Sequence, residues 1–131
     1  KIQNRYLTRY YIPDEQFNKK KLDDFIGKNG SNLFYKLFRF DTMNRAVYEK
    51  YTQKNNFTLN SFHFNLNELV IKKYKNKIKT LLNYFNCNIK NIDNWLNTHQ
   101  NHYINWIAIT KNKEDVEIAL YYRKYKFSEL R

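Results

Sequence analysis

Glycine occurs twice in the 131 residues of this chain, at Gly27 and Gly30, and proline once, at Pro13. About nine glycines would be usual for this length. Without a Cβ the backbone can take unusual dihedrals and approach a ligand closely. The chain otherwise avoids that freedom and places both glycines in one stretch, Gly27-Lys28-Asn29-Gly30. No Gly/Ser-rich or Pro-rich linker and no internal repeat is visible.

The segments around that stretch read as follows. Segment 5–12, Arg-Tyr-Leu-Thr-Arg-Tyr-Tyr-Ile, is aromatic and β-branched and stops at Pro13, so it reads as a strand. Pro13-Asp14 opens a turn. Asn18 caps a short helix over 19–26 with Leu22, Phe25 and Ile26 on one face. Gly27 ends it in a left-handed conformation. Ser31 caps the next helix, whose stripe is Leu33, Phe34, Leu37 and Phe38. The region 41–56 is polar and mixed, with a helix over 43–52 as one reading. Segment 57–64 alternates in part and reads as a strand. Residues 66–85 give the clearest helix, with Leu66, Val70, Tyr74, Ile78, Leu81, Leu82 and Phe85 on one side and Lys72, Lys73, Lys75, Lys77 and Lys79 over much of the rest. Segment 88–96 is a short strand or irregular, and 97–102 is a polar loop. Segment 103–110, Tyr-Ile-Asn-Trp-Ile-Ala-Ile-Thr, reads as a strand. Residues 113–126 read as a final helix. Glu114 and Asp115 in its first turn and Arg123, Lys124 and Lys126 in its last would complement the dipole.

The hydrophobic fraction, 42% with 12 Tyr, 10 Phe and 2 Trp, is enough for a packed core, and the length suits one domain. The formal charge is +12, which attracts polyanions, nucleic acid before an anionic membrane surface. The 18 Lys and 20 Asn suggest an AT-rich coding genome, such as that of a protist or a large DNA virus. Coding bias explains the choice of Lys over Arg better than the shortage of acids. One cysteine, Cys87, rules out an internal disulfide framework and fits a reducing compartment. No stretch approaches 18 apolar residues, so nothing is expected to span a membrane, and no signal peptide is visible. The chain opens on Lys1, so it is expected to be a fragment or a processed product. The expected location is intracellular, cytoplasmic before nuclear or virion-associated.

Ile26-Gly27-Lys28-Asn29-Gly30-Ser31-Asn32-Leu33 resembles the Ile-Gly-x-x-Gly-x-x-Ile/Leu signature of K-homology (KH) domains. The resemblance implies an α+β fold with a three-stranded sheet packed on helices, of the type I arrangement. The strand ending at Ile12-Pro13 and the helix over 19–26 sit where the family places its first strand and first helix. The strand over 103–110 and the helix over 113–126 resemble its closing pair. A minimal domain of this family is about half as long as this chain. Either residues 35–65 are an insertion, or the helix over 66–85 is an addition, making one extra long basic helix, or a KH-like half is fused to a different half. The family's loop clamps the backbone of about four nucleotides. The resemblance therefore implies that Gly27 and Gly30 shape the loop, Lys28 meets phosphate, Asn29 adds a polar contact, and Ile26 with Leu22 floors a base groove. Ser31 belongs to the same motif.

Residues 1–131 are thus expected to form a single KH-like domain that binds single-stranded RNA or DNA and is not an enzyme. Lys72, Lys73 and Lys75 are a candidate second phosphate-tracking surface or a solvated helix face. Arg5, Arg9, Arg123, Lys124 and Lys126 would extend the positive surface if they lie near the loop. Tyr10-Tyr11, Phe34-Tyr35 and Tyr121-Tyr122 are candidates for base stacking, against the alternative of core packing. His99 and His102, with Cys87 upstream, lack a fourth ligand and read as surface-loop histidines, so no metal and no cofactor is expected. The competing function is a basic structural or assembly protein in a ribonucleoprotein or viral particle, contacting nucleic acid or an acidic partner nonspecifically.

Overall fold

The aromatic and β-branched stretches become strands. In the computed structural model, which describes residues 4–11, 17–40, 46–54, 57–87 and 89–125, five strands form one antiparallel sheet. They are β1 (Asn4–Tyr11), β2 (Val47–Lys54), β3 (Phe57–Val70), β4 (Tyr103–Asn112) and β5 (Asp115–Arg123). Their order in space is their order in the chain. Helices α1 (Lys19–Ile26) and α2 (Lys28–Phe38) lie between β1 and β2. A 3-10 turn (Ile71–Lys73), α3 (Lys75–Tyr84) and α4 (Ile92–Thr98) lie between β3 and β4. A strand–helix–helix–strand unit therefore occurs twice. The fold is α+β, and no described helix is long and apolar enough to cross a membrane.

Register decides what the sheet buries, because paired residues point to the same side. Val47 pairs with Phe64, which pairs with Ile107, which pairs with Leu120. Phe62 pairs with Ile109, and Ile109 with Ile118. These residues join Leu22 of α1, Phe34 and Phe38 of α2, Ile78, Leu81 and Leu82 of α3 and Leu96 of α4 in one apolar cluster. Aromatic pairs tie the first two helices to the sheet: Phe25 to Phe62 with centroids 4.8 Å apart, and Phe34 to Phe64 at 4.7 Å. The four described helices thus reach the core from one face. The other face, with Tyr48, His63, Trp106 and Tyr121, lies outside that cluster.

Several expectations are corrected. The sheet has five strands, not three. The stretch 43–52 is not helical where it is described: Val47–Lys54 is a strand paired on both sides. No long basic helix covers 66–85. β3 runs on to Val70, where Leu69 and Val70 pair with Ile104 and Tyr103, and α3 is ten residues long. Asn67, at φ 59°, breaks the two-residue alternation in this stretch, so the spacing imitated a helix. The stretch 113–126 is not a helix over its described residues. Lys113 and Glu114 turn the chain and β5 returns along β4, with Asn112 paired to Asp115. Val116, Ile118 and Leu120 alternate with the exposed Glu117, Ala119 and Tyr121, which is strand periodicity. Of the supposed dipole charges, Asp115 and Arg123 are the two ends of a strand. Segment 88–96 is neither a strand nor irregular from Ile92 onward, where α4 begins. Residues 35–65 supply the end of α2, all of β2 and the first nine of the fourteen residues of β3. Pro13-Asp14 lies outside the described residues.

Candidate nucleic-acid interface

Asn18 caps α1 as its sequence position predicts, its Oδ1 accepting from the Lys20 amide at 3.0 Å. The helix ends when Gly27 turns to φ 89°, ψ 148°, a positive-φ conformation outside the left-handed helical region. A residue with a Cβ rarely adopts that φ. Its amide donates to Asp23 O at 2.9 Å, and its carbonyl accepts from Ser31 N at 3.0 Å. One residue therefore both ends α1 and caps α2. The first amides of any helix have no intrahelical acceptor, and at α2 the cap residue supplies no side-chain acceptor for them. Ser31 is not the cap: it sits inside α2, fully buried.

The two glycines serve different ends. A Cβ on Gly27 would meet nothing within 4 Å, so its requirement is the dihedral. A Cβ on Gly30 would lie 2.8 Å from Phe85 Cζ and 3.1 Å from Tyr84 Cε1. Gly30 is thus a packing glycine, admitting the aromatic end of α3. Of the six motif residues, Gly27, Lys28 and Asn29 are exposed, Ile26 is half-buried against the core, and Gly30 and Ser31 are buried. Leu22 is in the core and floors no groove. A cleft of about 540 Å³ runs beside the corner, with Ile26, Gly27 and Phe85 on one side and Lys111, Glu114 and Asp115 on the other. The two acids disfavour a phosphate deep in that cleft and leave the Lys28–Asn29 side as the anion-facing one. Near the corner, Lys19 bridges Asp23 at 2.8 Å and Asn32 at 2.6 Å. That ammonium holds the Asp23 carboxyl below its usual range.

The remaining candidates are scattered. Lys72 and Lys73 are exposed on the 3-10 turn, and Lys75 Nζ donates to Asn97 Oδ1 at 2.8 Å. They mark one end of α3, whereas Phe85, just past its other end, meets Gly30. Ten helical residues span about 15 Å, so these lysines are not part of the corner. Arg5 and Arg9 lie on β1, at one edge of the sheet, while Arg123 closes β5 at the opposite edge and Lys124 follows it. Lys126 lies outside the described residues. Phe34 and Tyr35 are buried and cannot stack on a base. His99 and His102 are half-buried rather than free loop residues, packing with Tyr122 at 5.2 and 5.8 Å. Cys87 donates to Val116 O at 3.2 Å, and burial pushes its thiol pKa up. Among the described residues no group of three or more His, Cys, Asp or Glu could hold a metal.

Sequence reasoning missed an aromatic patch on the sheet face that no described helix covers. Tyr48 stacks on His63 with centroids 4.2 Å apart and rings 9° from parallel. Trp106 lies 5.3 Å from Tyr48, and Tyr121 lies 6.0 Å from His63. Tyr121, named above as a stacking candidate, is 50% exposed. Tyr10 stands in register with Tyr48. Two-residue alternation along each strand was the available signal, but it needed the register of four strands to become a patch.

Comparison of the chain with protein families, with curated proteins and with solved structures finds no match.

Proposed function

We propose that this chain is a non-enzymatic module that binds single-stranded nucleic acid, RNA foremost. The observation that carries the reading is the α1–α2 corner, where a helix start capped by glycine alone, with no side-chain cap, carries the exposed Lys28 and Asn29. A phosphate there would accept from first-turn amides, lie on the positive end of the helix dipole and meet the Lys28 ammonium. The formal charge of +12 supplies the longer-range attraction. The order strand, helix, Gly-x-x-Gly, helix supports the KH likeness. The base groove that the likeness would imply is not carried over, because Leu22 is core and the sheet has five strands.

The test is a double substitution, Lys28→Asp with Asn29→Asp. Acidic residues in a first helical turn favour the helix, so the fold should hold, checked by circular dichroism. Affinity for a short oligouridylate, read by fluorescence anisotropy at low salt, should fall about tenfold or more, because two charges now oppose the phosphate. Unchanged affinity would remove the corner from the interface. Equal binding of duplex and single strands of the same charge, lost steeply with salt, would instead favour the basic assembly protein.

A further inference from the structure

The sheet face that no described helix covers bends along one line, and the bend is lined by side chains suited to a nucleobase. Between Asn65 and Leu69 the pairing of β3 with β4 loses register: Leu66, Asn67 and Glu68 stand against Asn105 alone. The pairing of β4 with β5 slips at the same residue. Ile104 and Trp106 pair with the adjacent Tyr122 and Tyr121, leaving Asn105 between them. Asn67 takes φ 59°, and its amide donates to Asn65 Oδ1 at 2.7 Å. Bulges of this kind re-aim side chains and gather beside functional sites.

The irregularity opens a cleft of about 490 Å³ lined by Asn65, Asn67, Glu68, Asn105, Trp106 and Arg123. That volume is within the range of small-ligand sites, about 300–1,000 Å³. Arg123 Nε donates to Asn105 Oδ1 at 3.1 Å, which orients the Asn105 amide and turns its Nδ2 to donate elsewhere. One wall is therefore an indole, and the others are amides, a carboxylate and a guanidinium. An aliphatic partner surface would bury those polar groups without hydrogen bonds, at a cost of about 1–3 kcal/mol each. A nucleobase fits both requirements, with an apolar face for the indole and a polar edge for the amides. A net charge of +12 favours a base that arrives on a polyanion.

We propose that this cleft holds one unpaired base of a single-stranded nucleic acid, stacked on Trp106 with its edge read by the asparagines at the bend. Tyr48 and Tyr121 continue the aromatic surface beside it, with the buried His63 packed against both. The inference rests on the nucleic-acid reading but uses a different face of the molecule from the corner.

The experiment follows Trp106 fluorescence in a Trp95→Phe background, which keeps a ring against His99 and Tyr122. Short oligouridylate, oligoadenylate and an abasic strand of equal charge are titrated in turn. The base-bearing strands should quench Trp106 at saturation, and the abasic strand should not. Trp106→Ala should weaken binding about tenfold or more, while Trp106→Phe retains most of it, with thermal melts confirming the fold of both. Binding seen by anisotropy with no change at Trp106, or equal affinity for the abasic strand, overturns this site and leaves the corner standing. A corner failure reads differently, as unchanged affinity in the Lys28/Asn29 variant while Trp106 is still quenched. If no strand binds, both readings fall.

Discussion

Acidification below about pH 6.5 should destabilise this protein through His63. The residue is 6% exposed, its ring lies against Tyr48, and its Nε2 is 3.0 Å from Ser61 Oγ. Burial pushes its pKa down from 6.5 to about 4, and the charge of Lys50 acts in the same direction. The Tyr48 ring face opposes this, since a cation over an aromatic ring gains about 0.5–2 kcal/mol. The depressed value requires that desolvation outweigh that gain. Because the folded pKa is the lower one, the unfolded chain takes up the proton first as pH falls. The stabilising effect is complete above 6.5 and is lost between 6.5 and about 4, at about 1.4 kcal/mol per pH unit. That amounts to about 2 kcal/mol near pH 5 and about 3 kcal/mol near pH 4. Urea unfolding followed by tryptophan fluorescence measures it across this range. His63→Gln serves as the reference, since it keeps a partner for Ser61 and cannot titrate. The difference between the two profiles isolates His63 from Asp23, whose lowered pKa makes its own contribution vanish only below the ordinary carboxylate range. Parallel profiles from neutrality to about pH 5 would refute the argument that a neutral imidazole is locked under Tyr48.

The two glycines give a second contrast. Gly27→Ala should cost about 1–2 kcal/mol in urea midpoint analysis, because φ 89° is strained for any L side chain and nothing else is displaced. Gly30→Ala gains about 1 kcal/mol of helix propensity but drives a Cβ into Phe85, so its stability should stay near wild type while the Phe85 and Tyr84 ring resonances move in NMR spectra. Phe34→Ala, at a fully buried ring touching Phe38, Phe40 and Phe64, should cost about 3–5 kcal/mol and lower the melting temperature accordingly.

The local signals in the sequence were accurate where one residue decides the outcome. Asn18 and Gly27 bound α1 at the positions their chemistry indicates, and β4 begins at Tyr103 as its aromatic and β-branched content suggested. The misreadings arose where two periods coincide. Leu66, Val70 and Tyr74 are spaced as in a helix, but a bulge at Asn67 lets a strand place Leu66 and Leu69 on one buried face. In β5, charges at both ends outweighed a plain alternation of Val116, Ile118 and Leu120. The corner was legible because glycine is rare here. The role of Gly30 was not, since it depends on Phe85, 55 residues away in the chain. The aromatic patch and the bend at Asn105 are properties of register, which no single segment encodes.

Register also has a consequence for assembly. β2 meets β3 across a pair closed at Lys54 and Phe57, and β4 meets β5 across Asn112 and Asp115. Only two residues separate the paired ends in each case. Joining β3 to β4 instead closes the chain from Val70 to Tyr103, over two helices. On loop length alone that costs roughly 2 kcal/mol more entropy than a hairpin turn. Tyr48 and His63 belong to the first hairpin, and Trp106 and Tyr121 to the second. Their rings come together only through the longer closure, so the exposed surface is a joint between two locally built pieces. A chain in which the helical segments are not yet packed has both hairpins available but no platform.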